Sequence, residues 1–372
     1  MNISELRIGL VGPLPPPSGG MANQTLQLAK LLRAEGATVE LIQVNRPYHP
    51  KWIGKVKGVR ALFRLFPYLV SLWQSAHKVD VYHVMANSGW SWHLFAAPAI
   101  WIARMSGKPV VVNYRGGEAG EFFEKAFSWV KPSLDRADAI VVPSGFLEEV
   151  FEKRGYSPCI VPNIIDLSRF SSEKNTGAAL TPEVPTILVA RNLEPIYDNA
   201  TALRAFEIVR RTIPTARLVI AGSGPERQAL EQLARELGVK DAVSFAGRVE
   251  NEHMPNLYYS ANLMVNPSLA DNMPISVLES LASGVPVVST DVGGVPHLVE
   301  HGKTALLFPP KDPAAMASAI LAVLTDAAMA NRMKSAGVEL VSQFTWPKVK
   351  VRLLAVYEQV LSGRKEPVAN YK

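Results

Sequence analysis

A chain of 372 residues, 48% hydrophobic and 19% charged, is long enough for two ordinary domains and too apolar to be disordered. Its single cysteine, Cys159, excludes an internal disulfide framework and fits a reducing compartment. The net charge of +6 is unevenly spread: between Arg46 and Lys78 lie seven basic residues and no acid.

The spacing predicts a strand over Leu6 to Val11, a loop Gly12-Pro13-Leu14-Pro15-Pro16-Pro17-Ser18-Gly19-Gly20, and a helix from Met21 to Glu35. The loop lacks the third glycine of a dinucleotide fingerprint, which argues against a nicotinamide oxidoreductase. The opening residues show no basic segment followed by a long apolar run, so no signal peptide is expected. The run Leu94 to Ala103 is too short to span a bilayer. A cytoplasmic location is therefore expected.

Thr38 to Val44 reads as a second strand, and the basic segment follows it. Trp52, Phe63, Phe66 and Trp73 are interleaved with its cations. That pattern over residues 46–78 fits docking on an anionic membrane surface; an outer helix with its apolar side in the core is the plainer alternative. No nucleic-acid motif accompanies the charge, so nucleic acid is not expected as a partner.

Asp80 to Met85 is the next predicted strand, with Trp92 and His93 just past its carboxyl end, a position that suits an acceptor pocket or the core equally. Pro109 to Asn113 leads into Tyr114-Arg115-Gly116-Gly117-Glu118. There Arg115 suits an acidic acceptor group, and Glu118 suits a proton or a hydroxyl hydrogen bond. Further strands follow at Ala139 to Pro143 and Cys159 to Val161. The polar, aperiodic stretch Ser171 to Pro185 reads as a linker.

A second series of strands begins with Thr186 to Ala190, followed by Arg191. Arg217 to Ala221 runs into Gly222-Ser223-Gly224, and Val243 to Ala246 into Gly247-Arg248-Val249. The stretch Asn266 to Gly294 is a strand–loop–helix–strand unit of a parallel α/β sheet. Asp271 and Glu279, eight apart, bracket its loop and the helix predicted from Ile275 to Ser283. Free backbone N–H groups near Met273 to Ser276, at the helix start, suit a phosphate, which makes Asn272, Met273, Pro274, Ile275 and Ser276 the candidate donor-binding stretch. Carboxylates beside such donors suit a sugar nucleotide. The seven histidines are scattered and no supported Asp-x-Asp pair is present, so no metal is expected.

Asp271, seven residues, Glu279, then Ser283-Gly284-Val285-Pro286-Val287-Val288 and Gly293-Gly294 resembles the donor-binding signature of glycosyltransferase family 4. The family carries Glu at the first acid. The resemblance implies a GT-B architecture: α/β, two Rossmann-like doubly wound domains facing across a cleft. The implied domains are an acceptor-binding domain over residues 1–170, a linker over 171–185, a donor-binding domain over 186–345, and a helix over 346–372 returning to the first domain.

The resemblance also implies roles. Arg191 would hold the donor diphosphate in place of a metal, Asp271 would contact the donor sugar, and Glu279 the ribose. Gly19, Gly20, Gly222, Gly224 and Val249 would line the nucleotide. The implied activity is retaining transfer of a hexose from a UDP- or GDP-sugar to a glycan or lipid-linked acceptor, in bacterial envelope or exopolysaccharide synthesis, with no cofactor.

Three departures from the family stand out. Its lysine beyond the Arg191 position is missing, with Ile196, Tyr197 and Asp198 in that region. Its acceptor-side histidine is replaced by Tyr114 and Arg115, and Ile164 stands where its Pro-Asn-Gly-Val-Asp stretch has glycine. A sugar-nucleotide epimerase of similar architecture and a catalytically silent glycan-binding homologue are the alternatives.

Overall fold

The computed structural model describes residues 3–16, 19–48, 60–174 and 184–363. Lys51, Lys55 and Lys57 of the basic segment lie outside the described residues. The chain divides into two compact units, residues 1–163 with 346–372, and residues 164–345.

The first unit holds a six-stranded parallel sheet: β1 (Arg7–Gly12), β2 (Thr38–Gln43), β3 (Val81–Ala86), β4 (Val110–Tyr114), β5 (Ala139–Val142) and β6 (Cys159–Ile160). Its order is β2-β1-β3-β4-β5-β6. All five residues of β4 and all six of β3 are buried, as expected of central strands covered on both faces. Rings fill one side of this core: Trp92, Tyr114, Phe123 and Phe151, with Tyr114 5.3 Å from both Phe123 and Phe151.

The second unit repeats the plan with β7 (Thr186–Ala190), β8 (Arg217–Ala221), β9 (Val243–Gly247), β10 (Leu263–Asn266), β11 (Val287–Thr290) and β12 (Leu306–Phe308). The order is β12-β11-β10-β7-β8-β9, again all parallel. Carboxylates start its helices: Asp198 accepts from Thr201, Asp312 from Ala315 and Asp326 from Met329.

The expected boundary near residue 170 is corrected to Asn163/Ile164. Ile165 and Phe170 are buried in the core of the second unit, and the Ile165 amide donates to the Phe344 carbonyl at 2.9 Å. Of the expected linker, residues 175–183 lie outside the described residues. The helix Trp346–Leu361 belongs to the first unit. Trp346 Nε1 and Lys350 Nζ both donate to Glu35 Oε1, at 2.9 and 2.8 Å. Among the described residues no single helix is long and apolar enough to cross a membrane.

Candidate active site

In the second sheet β7, β8 and β9 are laid in one direction and β10, β11 and β12 in the other. The order reverses between β7 and β10, and open α/β sheets bind ligands at the strand carboxyl ends beside such a reversal. Arg191 is the first residue after β7, and Asn266 is the last of β10. Arg191 Nε donates to Asn266 Oδ1 at 2.8 Å, and its Nη2 donates to the Asp271 carboxylate. The guanidinium also lies over the Tyr197 ring, 5.2 Å from its centre. Asn266 is held in turn: its Nδ2 donates to Ser289 Oγ at 3.0 Å, and Ser268 Oγ donates to its Oδ1 at 2.7 Å.

Asp271 owes its place to the glycine turn. The Gly294 amide donates to the Asp271 carbonyl at 2.9 Å. A Cβ on Gly293 would stand 2.1 Å from that same carbonyl oxygen, and one on Gly294 1.8 Å from the Asn272 carbonyl oxygen. Gly293 also has φ of +54°, a left-handed backbone that suits glycine. Gly222 lies against the Arg191 backbone and Gly224 against that of Leu193. A Cβ on either would fall 2.0 Å from the Arg191 carbonyl oxygen or 2.2 Å from that of Leu193. Burial raises the Asp271 carboxyl, while the Arg191 charge, the Asn272 amide and the Ser268 hydroxyl draw it back down.

Glu279 lies one turn into the helix Ile275–Ala282 and is buried. Tyr258 donates its hydroxyl to Glu279 Oε2 at 2.9 Å. Burial pushes the Glu279 carboxyl from its ordinary 4.5 to about 7, against the opposing pull of Tyr258, Arg169 and Arg191. A carboxyl with a raised folded pKa favours folding in its protonated form. That contribution is complete below about pH 4.5 and lost as the pH rises through about 7. Glu279→Gln, neutral at every pH, is expected to lose least: between pH 5 and pH 8, roughly, the parent's melting temperature should fall relative to the variant's. Parallel melting curves across that range check this, and equal slopes would contradict it.

The same helix begins without a side-chain cap, at Pro274. Ser276, in its first turn, is buried, and its hydroxyl has no hydrogen-bond partner among the described residues. An orphan hydroxyl beside uncapped amides suits a phosphate oxygen. Asn272 and Met273 are buried beneath the loop, and Val249 is half-buried against the same core. Thus Arg191, Asp271, Glu279 and the loop 272–276 are gathered at one reversal, with Gly222 pressed against the Arg191 backbone.

Two further residues went unnoticed in the sequence. Tyr258 is the hydroxyl partner of Glu279, and Arg169 is the leading basic influence on that carboxyl. Arg169 Nη2 donates to the Asn251 carbonyl, and its backbone carbonyl accepts from Tyr259 at 3.1 Å. The only signal for Arg169 was its place before Phe170, after the Pro162-Asn163 stretch.

The remaining predicted residues belong to the first unit. Trp92 does not line a pocket: it is fully buried against Tyr114, so the acceptor-side expectation for it is corrected to a core role. The π-helical turn Trp92–Ala96 directs Trp92 inward and leaves His93 half-buried between Trp90 and Phe122. Glu118 is exposed and caps no helix amide with its side chain. Gly19 and Gly20 stand at the start of the helix Gly20–Ala34, and a Cβ on either would meet nothing within 4 Å among the described residues. Arg115 donates from Nε to Asn113 Oδ1 at 3.0 Å and from Nη1 to Asn163 Oδ1. Among the described residues no group of three or more His, Cys, Asp or Glu is placed to hold a metal ion.

Two doubly wound parallel sheets, one carrying a basic and acidic cluster beside a phosphate-ready helix end at its reversal, define the GT-B class of α/β enzymes. Solved structures share the fold. Sucrose-phosphate synthase from Thermosynechococcus elongatus aligns over 96% of this chain and 100% of its own, with a TM-score of 0.77 and 20% identity. The Anabaena protein HepE in complex with UDP and glucose aligns over 96% and 100%, with a TM-score of 0.73 and 17% identity.

Two family models match consecutive parts of the sequence: Glycosyltransferase Family 4 over residues 18–169, and Glycosyl transferases group 1 over residues 172–339. The chain belongs to glycosyltransferase family 4 and is a glycosyltransferase. It is 25% identical over 385 residues to the phosphatidyl-myo-inositol mannosyltransferase of Mycobacterium leprae, covering 98% of this chain and 100% of that protein. It is 29% identical over 284 residues to the GDP-mannose-dependent alpha-(1-6)-phosphatidylinositol monomannoside mannosyltransferase of Mycobacterium tuberculosis, covering 70% and 74%.

Proposed function

We propose that this glycosyltransferase moves a hexose from a UDP- or GDP-sugar to a hydroxyl of a glycan or lipid-linked acceptor, with retention and without a metal, in bacterial glycolipid or polysaccharide synthesis. The observation that carries the donor reading is the junction of Arg191, Asp271 and the uncapped helix end with its orphan Ser276 hydroxyl. Arg191 Nη1 has no partner among the described residues, which leaves a charged donor for a diphosphate oxygen. In this reading Glu279 accepts ribose hydroxyls.

In the reaction the bond from the sugar's anomeric carbon to the phosphate oxygen breaks, and a bond to the acceptor oxygen forms on the same face. The acceptor proton passes to the departing phosphate oxygen. The protein's part is electrostatic: Arg191 and the amides near Ser276 stabilise charge growing on the diphosphate. Mannosyltransferases of phosphatidylinositol glycolipids among the similar proteins support the acceptor class and the GDP-sugar alternative.

The test is a screen of UDP- and GDP-sugars for thermal stabilisation, followed by nucleotide-release assays with and without glycan or lipid acceptors. Acceptor-dependent release of UDP or GDP is expected. Turnover of the donor alone would favour an epimerase, and binding without release in the presence of any acceptor would favour a silent homologue.

We also propose peripheral attachment to the anionic cytoplasmic face of the membrane through residues 46–78. The helix Arg60–Ser75 leaves Phe63, Phe66, Val70 and Trp73 exposed at a helical spacing, by 52%, 72%, 38% and 46%. An apolar stripe in an acid-free basic segment suits a negatively charged bilayer. Replacing Phe66 and Trp73 by Ser together is expected to lower cosedimentation with phosphatidylglycerol vesicles at least fivefold, roughly the cost of removing about 1 kcal/mol of apolar insertion. Undiminished sedimentation would exclude this stripe as the attachment surface.

A further inference from the structure

Below the carboxyl ends of β3 and β4 runs a file of side chains that the donor chemistry does not use. Arg115 can only donate, so its bond to Asn113 identifies the oxygen end of that amide. The nitrogen end, Nδ2, then faces His83 Nε2 at 2.9 Å and donates to it. His83 is fully buried, and burial together with the Arg115 charge lowers its pKa to about 3. The ring is neutral with Nε2 accepting, so its proton sits on Nδ1, which donates to the Tyr357 hydroxyl oxygen at 2.8 Å. Every bond of the file runs one way, from the guanidinium towards the helix Trp346–Leu361.

The file therefore grips Arg115 without answering its charge. Asn113 and Asn163 are neutral amides, and among the described residues no carboxylate pairs with Arg115. Burial alone lowers the guanidinium pKa to about 10, with no acid opposing the shift. Its Nη2 has no partner among the described residues, although the side chain is only half-buried. A partly desolvated cation without a counter-ion is costly, and an oxyanion bound at Nη2 would relieve that cost. The surroundings favour a polar ligand. Gly116 presses the Arg115 loop onto Asn87 and Ser88, where a Cβ would come within 2.8 and 2.3 Å of their side-chain oxygens. Trp90, 78% exposed just beyond, offers a ring face.

We infer that Arg115 is the receptor for an oxyanion carried by the acceptor, so that the acceptor is acidic: a phosphate-bearing or carboxylate-bearing hydroxyl compound. This rests on reading the first unit as the acceptor side.

The test is calorimetric titration of inorganic phosphate, and separately of glucuronate, into the full chain saturated with whichever of UDP or GDP raises its melting temperature more. At least one of the two oxyanions binds the parent, and Arg115→Gln weakens that binding tenfold or more while nucleotide affinity is unchanged. A phosphate response points to a phosphate-bearing acceptor, a glucuronate response to an acidic sugar. Arg115→Lys, which keeps the charge without the fork, is expected between the two and stands in if the Gln variant does not fold. Arg115 variants that bind both oxyanions as the parent does, or a parent that binds neither, overturn the inference. If neither nucleotide binds, it is the donor reading that fails. The oxyanion titration is then run without nucleotide, against Arg191→Gln as the control for the donor-side cation.

Discussion

Arg191→Lys is expected to leave the fold intact and to reduce kcat by about 100- to 1,000-fold, the range seen when one preorganised donor to a developing negative charge is lost. The lysine retains a charge for Asp271 but has no planar fork. It cannot hold Asn266, Asp271 and a phosphate oxygen at once. Arg191→Ala separates structural from catalytic cost. The two side chains are only 12% and 14% exposed, so removal of the guanidinium strands a desolvated carboxylate. Breaking such a pair costs roughly 3–5 kcal/mol. The alanine variant should therefore melt well below the parent, and the lysine variant close to it. Steady-state nucleotide release and melting curves on both variants check this. Parental turnover in the lysine variant would remove Arg191 from the chemistry.

Gly294→Ala is expected to disable the site from a residue that bears no functional group. Its new methyl would sit 1.8 Å from the Asn272 carbonyl oxygen, which is backbone and cannot rotate away. The loop Asp271 to Pro274 must shift, and the 2.9 Å bond from the Gly294 amide to the Asp271 carbonyl goes with it. Overpacking of this kind costs about 1–3 kcal/mol, a drop of roughly 2–12 °C for a unit of this size. Loss of nucleotide-sugar binding should exceed what the stability change explains, because Asp271 and the helix end move together. Gly120→Ala serves as the contrast, since its Cβ meets nothing within 4 Å among the described residues. Calorimetric titration of the donor into both variants tests the pair; equal donor affinities would contradict the role given to the glycine turn.

Much of this arrangement was legible beforehand. Parallel strands announced themselves as β-branched runs ending in Gly, Asn or Ser, and the stretch from Asp271 to Gly294, taken whole through its family resemblance, pointed to the candidate site. What escaped was of two kinds. The helix Ala119–Leu134 carries no capping side chain at its start and is held by packing on neighbours. Contacts distant in sequence were also invisible. Tyr258 meets Glu279 across 21 positions, and His83 meets Tyr357 across 274. Position at a strand's carboxyl end does not fix direction, so the sequence leaves Trp92 open between pocket and core; the π-helical turn swings the indole into the core. The boundary near residue 170 was placed late because the polar stretch after it is conspicuous, whereas Ile165 and Phe170 are already committed to the following unit.

The return of the helix Trp346–Leu361 to the first unit has a consequence for synthesis on the ribosome. In chain order, residues 164–345 form an insertion within the first unit, which stays incomplete until the last stretch emerges. His83 waits in a buried strand for a hydroxyl made 274 positions later. Nascent chains stopped after Thr345 should thus contain one finished body and one unfinished one, and the downstream unit should resist protease first.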